Sequence, residues 1–92
     1  MPRPASHGLR AALERSAPRT DLAAAQTVWS DVVGEAIAAA TEPVAEHDGV
    51  LTVRCQSATW AQELSLMEGE LLKRLGERLG ERTPKALKLL AG

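Results

Sequence analysis

Phenylalanine and tyrosine are absent from this 92-residue chain, which has two tryptophans and one cysteine. Without these aromatics the chain cannot form the base-stacking sheet of an RNA-recognition-motif domain or of an OB-fold. A single cysteine excludes an intramolecular disulfide and therefore a disulfide-stapled secreted scaffold. No apolar run approaches the roughly 20 residues that span a bilayer, and the N-terminal residues lack the apolar stretch of a signal peptide. We therefore predict a protein of the cytoplasm, with association with the nucleoid as an option, and without a membrane partner.

Catalytic and ligand-binding motifs are missing as well. His7 and His47 have no second cysteine or histidine at ligand spacing, so we expect no metal site. No glycine-rich loop of phosphate-binding spacing precedes a helix, and no serine or threonine has a neighbouring base. Cys55 alternates with polar residues, which indicates a core position rather than a reactive thiol. The sequence predicts a non-enzymatic protein that uses no cofactor and no small-molecule substrate.

The charges are divided unevenly along the chain, although the net charge is −1. Residues 1–20 carry four arginines against one glutamate, residues 21–72 one arginine against nine acids, and residues 73–92 six cations against two acids. Taken alone, a near-neutral total argues against nucleic-acid binding, but the field that a partner meets depends on where the charges lie. The two ends of the chain are basic and its middle is acidic.

Three arginines, Arg74, Arg78 and Arg82, follow one another at helical spacing and form what we call the arginine ridge. Like charges four residues apart repel, so the spacing itself gains nothing from pairing within the ridge. A solvated helix face and a phosphate-binding patch explain the ridge about equally well. The full set of candidate nucleic-acid contacts is Arg74, Arg78, Arg82, Lys85, Lys88, Arg10 and Arg54.

The chain divides into a basic N-terminal arm, residues 1–20, and a single domain, residues 21–92. A short helix is predicted in the arm, where Leu9, Ala12 and Leu13 share one helix face and Ser6 is a candidate cap.

The next predicted helix runs from a cap at Asp21 to about Ala40, with Trp29, Val33 and Ile37 on its core face. Gly34 interrupts it, at a cost of about 1 kcal/mol relative to alanine, which close packing of another backbone would justify.

After this helix the hydrophobic period changes to two. Asp48 and Gly49 form a hairpin turn signal, because both positions of such a turn need positive φ. Leu51 and Val53 then alternate with polar residues, which predicts a strand with one buried face.

A long third helix follows and begins near Ser57 or Thr59, where Thr59 and Gln62 fit a capping box. Its apolar stripe comprises Trp60, Leu64, Met67, Leu71 and Leu75, which we assign to the core, with base stacking by an exposed Trp60 as the alternative. Leu87 and Leu89 flank Lys88 in a predicted third strand. The order α-α-β-β-α-β predicts an α+β, two-layer domain whose small sheet is covered by helices.

An ordered set of these residues resembles the DciA family of bacterial replicative-helicase loaders. The resemblance covers residues 22–92, and the set comprises Trp29, Val32 to Gly34, Ile37, Ala38, Thr41, Pro43, Asp48 to Val53, Ser57 and Trp60 to Leu64. It implies a domain like the type II KH fold, with the replicative helicase and single-stranded DNA as partners and no ATP site.

Two departures from the family pattern matter. KH domains clamp nucleic acid with a GxxG loop, whereas Gly76 and Gly80 are four residues apart, so any binding here would use basic side chains. Family members often carry a flexible extension that engages the helicase, yet this sequence stops at Gly92. We therefore expect the helicase contact on the domain itself, or a narrower role.

Two other functions stay open from the sequence. One is an RNA-binding or ribosome-associated KH-like module, which would prefer structured RNA to single-stranded DNA. The other is a protein-interaction domain whose acidic middle segment docks a basic partner without nucleic acid.

Overall fold

Residues 20–92 are described by the computed structural model of the chain. The predicted N-terminal helix, with Leu9, Ala12 and Leu13, lies outside the described residues, as do its cap Ser6 and the candidate contact Arg10. The division of the chain at residue 20 stays a prediction.

Four α-helices and three strands make up the described part of the chain. They are α1 (Asp21–Val33), α2 (Glu35–Ala40), β1 (Thr41–His47), β2 (Val50–Cys55), α3 (Ala58–Leu66), α4 (Glu68–Leu79) and β3 (Ala86–Ala91), with a 3₁₀ turn at Gly80–Arg82. The strands form one sheet in the order β1-β2-β3. β1 is antiparallel to β2, and β3 is parallel to it. The predicted two-layer α+β architecture is confirmed, with the third predicted helix divided into α3 and α4.

The core lies between one face of β2 and the helices. Leu51, Val53 and Cys55 have no exposed surface, which confirms the predicted alternation. From the helices, the predicted core residues Trp29, Val33, Leu64, Leu71 and Leu75 are buried against the same cluster. Ile37, Trp60 and Met67 are partly buried and pack on it. Trp60 is therefore a core residue with one accessible side.

The N-cap of helix α1 lies one residue before the predicted position. The Thr20 hydroxyl accepts a hydrogen bond from the Ala23 N–H at 3.0 Å, so Thr20 is the N-cap and the assignment of that role to Asp21 is wrong. Threonine in extended conformation satisfies a free N–H of the first turn. Asp21 instead occupies the first turn, where the helix dipole favours a negative charge.

Gly34 separates α1 from α2 because of its backbone conformation. Its φ is +90° and its ψ is 161°, a region that essentially only glycine occupies. A Cβ at this position would meet no atom within 4 Å, so the expectation of a closely packed backbone is wrong. The glycine ends one helix and redirects the chain into the next, and the predicted continuous helix is therefore two.

The exit from α2 into the sheet is held by a buried hydrogen-bond relay. The Trp29 indole N–H donates to the Thr41 hydroxyl at 3.1 Å, and that hydroxyl donates to the Ile37 carbonyl at 2.7 Å. Buried polar groups need such partners, since leaving one unpaired costs about 1–3 kcal/mol. The relay ties the core face of α1 to the first residue of β1.

The hairpin between β1 and β2 has the predicted turn. Asp48 and Gly49 have φ values of 52° and 82°, as a type I′ turn requires. The Gly49 N–H donates to the Glu46 carboxylate at 3.0 Å, which closes the turn. A register shift between Pro43 and Ala45 marks a bulge on β1, an edge strand where proline is tolerated.

The long third helix is interrupted at Met67, whose φ of −100° and ψ of 5° lie outside the helical range. The N-cap of α3 is Ser57, whose hydroxyl accepts from the Trp60 N–H at 3.3 Å, so the prediction of Thr59 as cap is wrong. Both helices keep their apolar stripe on the sheet. The break leaves Leu66, at 78% exposure, on the solvent side.

A pair of glycine substitutions tests the role of Gly34. Gly34→Ala forces a side chain into the positive-φ region and should lower the free energy of unfolding by about 1–3 kcal/mol. Gly69→Ala is the matched control, because Gly69 lies in α4 with open space around it and should stabilise by up to about 1 kcal/mol. Urea titrations followed by circular dichroism measure both. Equal effects of the two variants would contradict a conformational role.

Candidate nucleic-acid interface

The arginine ridge lies in the seam between α4 and α1. Arg74 donates from Nε to the Glu70 carboxylate at 3.0 Å, which is the favourable pairing of acid and base one helical turn apart. Its Nη1 also donates to the Val32 carbonyl in the last turn of α1, at 3.3 Å. A cation at that end of a helix satisfies a carbonyl that has no helical partner and complements the helix dipole.

The other two ridge arginines also reach across to α1. Arg78 Nη2 lies 3.3 Å from an Asp31 carboxylate oxygen, and Arg82 Nε lies 3.7 Å from that of Asp21. Asp31 is near the end of α1 and Asp21 at its start, so the two helices run antiparallel along the seam. From the sequence, the spacing of the ridge arginines gained nothing from pairing. That prediction left out these carboxylate partners, because they belong to another helix.

The seam has a mixed charge. Its arginine side chains are 43–46% exposed, and most of their carboxylate partners are more exposed than that. A shallow cleft of about 330 Å³ is lined by Asp31, Val32, Arg74, Glu77 and Arg78. Around Arg74 and Arg78 there are thus three carboxylates, those of Glu70, Asp31 and Glu77. This arrangement holds two helices together and has no excess of positive charge near these two arginines.

The face of the sheet opposite the helices is bare in the part of the chain that the structure describes. By register its residues are Glu42, Ala45 and His47 on β1, Val50, Thr52 and Arg54 on β2, and Ala86, Lys88 and Leu90 on β3. We call this set the open sheet face. Arg54 and Glu42 pair across the strands at 2.7 Å, so the candidate contact Arg54 already has a carboxylate partner.

Lys85 and Lys88 are the two candidate contacts at β3. Lys88 is exposed and lies beside Thr52 on the open sheet face. Lys85 precedes the strand, and its N–H donates to the Gly49 carbonyl at 2.7 Å. The aliphatic stem of Lys85 lies over Gly49, where a Cβ would stand 3.1 Å from the lysine Cδ. Neither lysine forms an ion pair with any residue in the 20–92 range.

The acidic middle segment is largely engaged within the domain. Seven of its nine carboxylates bind described groups: Asp21, Asp31, Glu42 and Glu70 pair with arginines, Asp48 with His47, and Glu46 and Glu68 accept backbone N–H groups. Glu68 accepts the Leu87 N–H of β3 at 2.9 Å. Sequence reasoning missed the contacts of Asp21, Asp31, Glu42 and Glu68, because their partners lie 12 or more residues away along the chain.

Nothing in the described residues resembles a catalytic or metal centre. Burial raises the pKa of the Cys55 thiol, which disfavours the thiolate that reactivity would need. Residues 20–92 contain no group of three acidic, histidine or cysteine side chains that could hold a metal ion. A cavity of about 500 Å³ opens at the end of the sheet, and its lining includes Thr41, Glu42 and Cys55. The Thr41 hydroxyl donates to the Ile37 carbonyl and Glu42 pairs with Arg54, so no nucleophile among the described residues of this cavity is hydrogen-bonded to a base. None of the helices between residues 20 and 92 combines the length and apolar character of a membrane span.

The sequence of the chain matches one family model and several curated proteins. The family model described as "Dna[CI] antecedent, DciA" matches residues 6–89. A UPF0232 protein of Rhodococcus jostii is 38% identical over 61 residues, covering 66% of this chain and 32% of the relative. Those of Mycobacterium tuberculosis H37Rv and Streptomyces avermitilis are 39% and 41% identical, covering 66% of this chain and 33% and 35% of themselves. The chain spans about a third of the length of these curated relatives.

A double-mutant cycle tests the seam. Arg78→Gln and Asp31→Asn, singly and together, should reveal a coupling of about 0.2–1 kcal/mol, because exposed ion pairs are weak. The coupling should disappear in about 1 M salt, where the screening length falls to about 3 Å. Arg54→Gln with Asp31→Asn is the control cycle, since these residues belong to different pairs. A coupling that is absent in low salt would contradict the clamp between the helices.

Proposed function

The chain belongs to the DciA family, and on that premise we propose that it is a non-enzymatic accessory of DNA replication. In this proposal it binds the replicative helicase and single-stranded DNA in the cytoplasm, at the nucleoid, and assists helicase loading. Support comes from the family match, which covers residues 6–89 and therefore nearly the whole chain. This family match is the support for the proposed helicase binding.

The DNA half is supported by the positions of the basic side chains. Without phenylalanine or tyrosine, base stacking on a sheet is excluded, and phosphate contacts by lysine and arginine are the remaining mode. The candidate cations that the structure describes lie on the seam, on the open sheet face and at the start of β3. Affinity that arises from phosphate contacts falls as salt rises, because bound counterions are released.

The alternative of an acidic docking segment is weaker on structural grounds. Most of the carboxylates of residues 21–72 are already paired with arginines or backbone N–H groups. A basic partner would compete with those contacts. The RNA-binding alternative shares the same phosphate chemistry, so a direct comparison of substrates decides between them.

Binding of labelled oligothymidylate, measured by fluorescence anisotropy, tests the DNA half. Two to three phosphate contacts predict a loss of affinity of about 10-fold between about 50 and 200 mM salt. A structured RNA hairpin of equal charge is the control and should bind more weakly. No detectable DNA binding at about 50 mM salt would contradict the DNA half, and a preference for the hairpin would favour the RNA alternative.

Pull-down of purified replicative helicase on the immobilised 92-residue chain tests the other half. Retention of helicase after nuclease treatment is the expected result, since the proposed contact is between proteins. The same bead with an unrelated acidic domain of similar size is the control. Helicase retention that disappears with nuclease would mean that DNA alone bridges the two proteins.

A further inference from the structure

The described cations fall into two classes, and this division locates the DNA contact more narrowly. Residues 20–92 contain four arginines and three lysines. All four arginines, Arg54, Arg74, Arg78 and Arg82, pair with carboxylates of the domain. The three lysines, Lys73, Lys85 and Lys88, form no ion pair within the described range. Two of these three lysines lie at β3.

We infer that single-stranded DNA binds along β3, with Lys88 contacting a phosphate from the open sheet face and Lys85 contacting another from the start of the strand, and that the arginine ridge is an intramolecular clamp. This inference rests on the proposed function, because it assumes that DNA is bound. The helical spacing of the arginines predicted a DNA contact at the ridge. The structure favours a contact at β3, in the opposite layer of the domain.

Electrostatics disfavours the ridge as the phosphate site. A phosphate at Arg74 or Arg78 would lie beside the carboxylates of Glu70 and Asp31 and would meet that of Glu77 in the same cleft. Part of the Arg74 guanidinium is also engaged by the Val32 carbonyl at the end of α1. A phosphate bound there therefore meets like-charge repulsion and competes with contacts between α1 and α4.

The lysines at β3 carry no such cost. Their ammonium groups have no carboxylate partner among residues 20–92 that a phosphate must displace. On the open sheet face Arg54 is paired with Glu42, whereas Lys88 has no carboxylate partner among residues 20–92. Lys85 lies at the hairpin end of β3, where the Glu46 carboxylate is held by the Gly49 N–H and that of Asp48 lies 3.3 Å from the His47 ring. The two lysine ammonium groups are therefore the charges that a polyanion would contact.

The shape of this face also suits a polynucleotide backbone. In the middle row of this face Ala45 lies beside Thr52, and Thr52 lies beside Lys88, so the two positions next to the lysine have short side chains. Lys85 and Lys88 are three residues, or about 10 Å, apart along the chain. Because successive side chains of a strand alternate between its faces, Lys88 lies on the open sheet face, and Lys85 reaches a second phosphate from the start of β3, where its stem lies against Gly49.

Matched double variants separate the two surfaces. Lys85→Gln with Lys88→Gln and Arg74→Gln with Arg78→Gln each remove two positive charges without adding a negative one. In the oligothymidylate titration the lysine variant should lose about 10-fold in affinity at low salt, and its salt slope should fall by about 1.4. The arginine variant should change affinity less than about threefold and show a lower Tm. Lys73→Gln, an exposed unpaired lysine on α4, controls for net charge.

The outcomes distinguish this inference from the function on which it rests. If the unmodified chain binds no DNA, the DNA half of the proposed function fails, and this inference with it. If it binds DNA and the arginine variant rather than the lysine variant loses affinity and slope, only the assignment of the face is overturned. Lys88→Gln alone, with an unchanged Tm and a slope reduced by about 0.7, supports the assignment independently of the double variant.

Discussion

Burial of one face of β2 is the constraint on which the rest of this domain depends. Leu51, Val53 and Cys55 are completely removed from solvent, and only three strands are available to carry them. A sheet this small cannot bury that face alone, so all four helices must lie on one side of it. The tryptophan of α1 and the leucines of α3 and α4 fill that layer, and the opposite face of the sheet is left bare.

This arrangement also decides what the charges do. Since α1 and α4 must pack side by side over β2, the acids of α1 and the arginines of α4 meet along one seam. Phosphate recognition and helix packing compete for the same guanidinium groups there. No helix of residues 20–92 packs on the open sheet face, and the lysines at β3 remain available for contacts with phosphates. Most carboxylates of the acidic middle segment thus have partners within the domain.

Local patterns predicted much of the fold, and long-range contacts account for what they missed. The alternation of Leu51 and Val53 and the Asp48-Gly49 turn depend on neighbouring residues, so the sequence shows them directly. The break falls at Met67, itself a good helix former, two residues before Gly69, and the positive φ of Gly34 is one of several conformations that glycine allows. Arg78 and Asp31 are 47 residues apart, so no helical spacing rule reveals their pairing.

The central claim is that one sheet face is free for a polyanion because the other supports the helices and their ion pairs. An amide ¹H–¹⁵N NMR titration of the 92-residue chain with oligothymidylate tests it most directly, because every element reports separately. The account predicts chemical-shift changes concentrated at Thr52, Lys85 and Lys88, with the α1–α4 seam unchanged. Changes centred on Val32, Arg74 and Arg78, with β3 unaffected, would contradict it.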